Sequence, residues 1–202
     1  MNLSENIKIE QWYPNLIGYC DYSEHIKIEK NLVKECLSLS NKIKKGGKNW
    51  VSNKTYTTLN TYNILENKKF TKLNEWIFNK VLEYSTHLKY KNKYKCIEGW
   101  FNIYKKYDYQ EYHDHGENTL SCVYFLKSNP EKSSKIHFKF NINDNIMEPT
   151  VDHSFDLTSP TVWYNPVPGR LLIFKSTLRH CVERHEDDDL RISLAYNFNK
   201  IL

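Results

Sequence analysis

Residues 166–199 read PVPGRLLIFKSTLRHCVERHEDDDLRISLAYNFN. Pro168-Gly169 predicts a turn, the apolar run at 171–174 a buried strand, and His180 the opening of the next one. Past a charged stretch the period becomes two: Leu190, Ile192 and Leu194 share one face, which leaves Arg191 and Ser193 on the other. Short strands following one another without a helical period point to a sandwich, jelly roll or barrel. In such a fold the face carrying Arg191 can be the interior. An arginine there needs an anionic partner, because a buried unpaired charge is too costly. A ligand carboxylate held bidentately would serve.

Working back along the chain, the same alternation recurs in KCIEGWFNIYKKY (95–107), TLSCVYFLK (119–127), KIHFKFNI (135–142) and TVWYN (161–165). Between 141 and 160 it lapses into a long polar loop, NINDNIMEPTVDHSFDLTSP. Upstream the period is helical. Ile28, Leu32, Cys36, Leu39 and Ile43 predict a helix over 24–45 closed by Gly46-Gly47, and Phe70, Leu73, Ile77, Val81 and Tyr84 a second over 67–90. The expected architecture is mainly β with N-terminal helices: one domain over 1–202, with 1–92 a mostly helical support and 93–202 a jelly-roll core.

The stretch YHDHGENTLSCVYFL (112–126) places two histidines at the entrance to an apolar strand. On an extended chain His113 and His115 point the same way and Asp114 the other, so the imidazoles make half of a metal site. Glu111 shares their parity, and a bulge could turn Asp114 inward. His25, His87, His137, His153 and His185 lack partners at metal spacing and read as surface or core histidines. ERHEDDDLR (183–191) reads as a solvated hairpin.

Composition narrows the classes. The aromatic share is 14%, with fifteen tyrosines, which suits a packed β-rich protein. The net charge of +5 comes from 25 lysines and only four arginines spread along the chain, so nucleic-acid recognition is disfavoured. No apolar run has membrane-span length, and the start MNLSENIKIEQWYPN has no signal-type apolar core, giving a cytoplasmic expectation. Five cysteines without a CxxC pair read as reduced thiols.

The ordered set HxH, Ser121-x-Val-Tyr-Phe-Leu, Pro166-x-Pro-Gly-x-Leu-x-x-Phe, His180 and Arg191-x-Ser resembles the 2-oxoglutarate- and Fe(II)-dependent dioxygenases. Within these it is similar to the small bacterial and phage group related to prolyl hydroxylases. The resemblance reaches back to WYPNLIGY (12–19) and covers most of the chain. It implies a double-stranded β-helix with Fe(II) at one mouth, bound by His113 and His180. It also implies that Arg191 grips 2-oxoglutarate with help from Ser193, and that Tyr104 or Tyr124 adds a hydroxyl. The reaction implied consumes O2 and 2-oxoglutarate, releases succinate and CO2, and hydroxylates a substrate C–H.

One departure concerns the iron. Such sites usually hold two histidines and one carboxylate, whereas His115 stands where the carboxylate is expected. By parity and position His115 is the expected third ligand, with Asp114 and Glu111 the alternatives. Three neutral ligands would release iron as pH falls through the histidine range near 6.5. Two other functions fit parts of the pattern: a cupin-type three-histidine enzyme without 2-oxoglutarate, and a non-catalytic jelly-roll binding module. The substrate, whether peptide, amino acid or small metabolite, is open. The segments 141–160 and 50–58 are expected to shape its side of the site.

Overall fold

The computed structural model describes residues 15–91, 93–140 and 160–201. Residues 12–14 of the WYPN opening and 141–159 of the loop, His153 among them, lie outside these. In chain order the elements are β1 (Ile17–Asp21), α1 (His25–Ser40), β2 (Tyr56–Thr57), α2 (Thr71–His87), β3 (Tyr94–Tyr104), β4 (Gln110–His113), β5 (Leu120–Lys127), β6 (Ile136–Lys139), β7 (Thr161–Tyr164), β8 (Arg170–Lys175), β9 (Arg179–Val182) and β10 (Arg191–Lys200). A six-stranded sheet runs β1-β8-β5-β10-β3-β2 and a four-stranded sheet β4-β9-β6-β7, every pair antiparallel. No helix among the described residues is long and apolar enough to cross a membrane, and all five cysteines are free.

Hydrophobic periodicity accounts for the layering. The helical stripes bury Leu32 and Cys36 from α1 and Leu73, Ile77, Val81 and Tyr84 from α2 against one face of the large sheet. That face receives Phe101 and Ile103 from β3, Leu120, Cys122, Tyr124 and Leu126 from β5, and Ile192, Leu194, Tyr196 and Phe198 from β10. Each fully buried large apolar side chain contributes about 1.5–3 kcal/mol. On the other face Trp100, Val123, Phe125, Leu172 and Phe174 meet Ile136 and Phe138 of the small sheet. Covered on both sides, β10 is buried over its first eight residues.

Several expectations change. Helix α1 ends at Ser40, so Gly46-Gly47 is not its cap. The pair instead fits a tight loop, where a Cβ on Gly46 would lie 1.8 Å from the Leu59 carbonyl oxygen and Gly47 adopts φ +63°. Besides its helices the N-terminal part supplies β1 and β2, the two edges of the large sheet. The 112–126 stretch is not one strand with a polar entrance. Its histidine end closes β4 in the small sheet, and its apolar end is β5 in the large one.

Candidate metal centre

Register builds the site. Across β10 and β3 the opposed pairs are Arg191↔Tyr104, Ser193↔Asn102, Ala195↔Trp100 and Asn197↔Glu98. Alternation sends these eight side chains away from the helices, and together they line an open cavity of about 550 Å3 between the sheets. The small sheet contributes the opposite wall, where β4 and β9 pair His113 directly with His180. His115 lies two residues past the end of β4, in the turn that carries the chain across to β5. Its backbone N–H donates to the Ser176 carbonyl at 2.7 Å, which fixes that turn to the end of β8.

One ring nitrogen from each of His113, His115 and His180 lies within 4.8 Å of the other two. The three rings share a tautomer. Nδ1 of His113 donates to the Glu111 carbonyl (2.8 Å) and Nδ1 of His180 to the Leu178 carbonyl (2.9 Å). Nδ1 of His115 lies 2.7 Å from Asn197 Oδ1. Each acceptor is an oxygen, so each Nδ1 carries the proton and each Nε2 keeps its lone pair. Three convergent lone pairs with bonded outer nitrogens are the donor set of a metal site.

The electrostatics agree. Burial, and then the neighbouring His113, lowers the pKa of His115 to about 4. Burial lowers His113, and burial with the two neighbouring imidazoles takes His180 well below the usual range. All three shifts run the same way, so each ring favours the neutral form that a metal ligand needs to a lower pH than a free imidazole does. Trp100 sits 5.5 Å from the His115 ring, and Phe174 and Phe138 sit 4.9 and 5.7 Å from His180, enclosing the cluster in apolar surface.

The alternatives for a third ligand are used elsewhere. Glu111 accepts from the backbone N–H groups of Val51 (2.7 Å) and Ser52 (3.1 Å), tying down the loop that brings Trp50 to the cavity. Asp114 accepts from Gly116 N–H in a local turn. Neither joins the cluster.

Deeper in the cavity the guanidinium of Arg191 is wholly buried between the rings of Tyr104 and Phe125, 4.6 and 5.4 Å from their centroids. Nη1 reaches Ser193 Oγ at 3.4 Å, while Nε and Nη2 have no partner among the described residues. Burial lowers its pKa, and the Tyr104 hydroxyl and Glu183 offset this only in part. In the same cavity, and among the described residues, Gln110 leaves both amide atoms unpaired and Asn102 its Oδ1, although both side chains are buried. These orphaned groups fit a small carboxylate-bearing molecule.

Residues 98–197, about half of the chain and including the three histidines, Arg191, Ser193, Asn102 and Gln110, match the family described as "Putative 2OG-Fe(II) oxygenase". The chain belongs to the 2-oxoglutarate–Fe(II) oxygenases. Solved structures of such oxygenases share its fold at low identity. A Pseudomonas putida prolyl-4-hydroxylase superposes with TM-score 0.64 at 14% identity, covering 92% of this chain and 93% of its own. A prolyl hydroxylase from Trichoplax adhaerens, solved with a hypoxia inducible factor peptide fragment, gives 0.62 at 13%, covering 90% and 83%. The viral collagen prolyl hydroxylase of Paramecium Bursaria Chlorella virus-1 gives 0.57 at 14%, covering 92% and 96%. The shared fold is the double-stranded β-helix. No curated protein matches the oxygenase in sequence.

Of the residues singled out from sequence, His113, His115, His180, Arg191, Ser193 and Tyr104 all line the one cavity. Tyr124 does not. Its parity on β5 carries it to the helix side, where its hydroxyl lies 2.7 Å from His25 Nδ1. Sequence reasoning overlooked Asn102, Gln110, Glu98 and Asn197. Asn102 and Asn197 were within reach: Asn102 alternates with Trp100 and Tyr104, and Asn197 extends the parity of Arg191 and Ser193.

Proposed function

We propose that this oxygenase is a hydroxylase that binds Fe(II) through His113, His115 and His180 and 2-oxoglutarate through Arg191. The observation that carries this reading is the unpaired, fully buried guanidinium of Arg191 in the same cavity as three neutral, convergent imidazoles. A reading without 2-oxoglutarate, whether cupin-type or non-catalytic, leaves that charge uncompensated. When bound, iron and 2-oxoglutarate supply the oxidising chemistry, with O2 consumed, succinate and CO2 released and one oxygen atom inserted into a substrate C–H.

The chain's own residues bind, orient and shield. Arg191 Nε–H and Nη2–H, free among the described residues, would hold the distal carboxylate of 2-oxoglutarate, with the Tyr104 and Ser193 hydroxyls as further donors. Asn102 and Gln110 offer an amide oxygen and a complete amide to the rest of the molecule. Trp100, Phe138 and Phe174 keep water from the histidines. Asn49, Trp50, Asn60 and Asn118, the less buried part of the cavity lining, would meet the substrate. The solved relatives named above are prolyl hydroxylases, and we place the substrate in the same broad class, an aliphatic C–H of a peptide, amino acid or small metabolite. Succinate formation from 2-oxoglutarate with Fe(II) under air tests the reading. Turnover abolished by omitting iron supports it, and the absence of both turnover and 2-oxoglutarate binding overturns it.

A further inference from the structure

Where a ligand carboxylate would bring negative charge to such a centre, His115 brings none. We infer that Glu98, acting through Asn197, is the positioning residue that makes His115 a competent ligand, by fixing which of its nitrogens carries the proton. This rests on the assignment of His115 to the metal.

The geometry is a row across three strands. Glu98 on β3, Asn197 on β10 and Ser121 on β5 stand directly opposite one another. Asn197 Nδ2 donates to Glu98 Oε1 at 2.7 Å. A carboxylate only accepts, so this bond admits one orientation of the Asn197 amide, with Oδ1 turned the other way. There Oδ1 receives Ser121 Oγ–H at 2.7 Å and faces His115 Nδ1 at 2.7 Å. Ser121, its proton used, accepts from Ser176 Oγ at 2.8 Å. Asn197, Ser121 and Ser176 are all buried, so water does not scramble the order. Every donor and acceptor in the row takes its direction from the carboxylate at one end.

Remove that carboxylate and the constraint is gone. Asn197 can turn over and present Nδ2–H to His115. Nδ1 then becomes an acceptor, Nε2 takes the proton, and the lone pair facing His113 and His180 is lost. Outer groups of this kind are worth about 10- to 100-fold in metal affinity.

The test uses the full chain, isolated metal-free and labelled with 15N-histidine. Long-range 1H–15N correlation reads the His115 tautomer, and anaerobic Fe(II) titration then reads affinity. Wild type should show the Nδ1–H form. Glu98→Gln, which keeps the shape but can donate, should populate the Nε2–H form and bind Fe(II) about 10- to 100-fold more weakly. Adding Asn197→Asp to Glu98→Gln supplies an acceptor that cannot turn over, and should restore both tautomer and affinity. If Glu98→Gln leaves the His115 tautomer unchanged, the inference is overturned, whatever the protein does with iron. If the tautomers behave as expected but wild type binds no Fe(II), the metal assignment fails and the hydrogen-bond relay stands. A Glu98→Gln variant whose affinity falls without a tautomer change, or is not rescued by Asn197→Asp, also overturns it, since Glu98 would then act only as packing or bulk charge.

Discussion

If Arg191 holds 2-oxoglutarate as proposed, replacing it with leucine should separate folding from cosubstrate binding. In the ligand-free protein the guanidinium is fully buried, with the Ser193 hydroxyl at 3.4 Å and the Tyr104 hydroxyl as polar neighbours and, among the described residues, no partner for Nε or Nη2. Leucine removes a desolvated charge and keeps apolar bulk against Tyr104 and Phe125, so ligand-free stability should hold or rise. Binding behaves in the opposite way. Removing one partner of a buried charge pair costs about 2–5 kcal/mol, which is roughly 30- to 5,000-fold in Kd. In wild type, 2-oxoglutarate at 100 times its Kd should add about 2.7 kcal/mol to unfolding stability, and the variant should lose about two thirds of this or more at the same concentration. Anaerobic calorimetry with iron present gives the Kd values, and thermal unfolding with and without 2-oxoglutarate gives the stabilities. A Kd within about threefold of wild type would refute the assignment, being under 1 kcal/mol. So would a ligand-free variant destabilised by about 3 kcal/mol or more, since that is the cost of breaking an internal buried ion pair.

Three further outcomes follow from the site. His115→Ala should weaken Fe(II) binding by roughly 100-fold, a quarter of the ~12 kcal/mol of a four-ligand site. In the same anaerobic titration Asp114→Ala should leave binding near wild type, and the reverse pattern would move the third ligand to the carboxylate. The metal-free protein should lose stability as pH falls from 6.5 toward 4. In that window the unfolded chain protonates His115 and the folded one does not, a slope of about 1.4 kcal/mol per pH unit for this residue alone. Urea unfolding across the window should show the slope, and saturating Fe(II) should offset it. Tyr124→Phe should leave the 2-oxoglutarate Kd unchanged while costing about 1 kcal/mol of stability through the lost His25 bond. Tyr104→Phe should instead raise the Kd by about five- to tenfold, one hydrogen bond's worth.

What one strand can express, the sequence already carried. The period of two placed Arg191 and Ser193 together and opposite to Leu194, because successive side chains on any extended chain leave by opposite faces. The stripes of α1 and α2 declared their buried faces by the same kind of local arithmetic. Local arithmetic also misled. It treated His113 and His115 as neighbours on one strand, and their convergence comes instead from a turn tied to Ser176. It had no means of sending Tyr124 to the helices, because parity gives two faces without saying which one is the cavity. Only tertiary structure opposed His113 to His180 across β4 and β9, and Glu98 to Asn197 across β3 and β10. Those pairings depend on register between segments far apart in the chain, and register is set by how two sheets and two helices bury their apolar faces at once. The residue types were therefore legible as chemistry before folding, and their meeting around one centre was decided by packing.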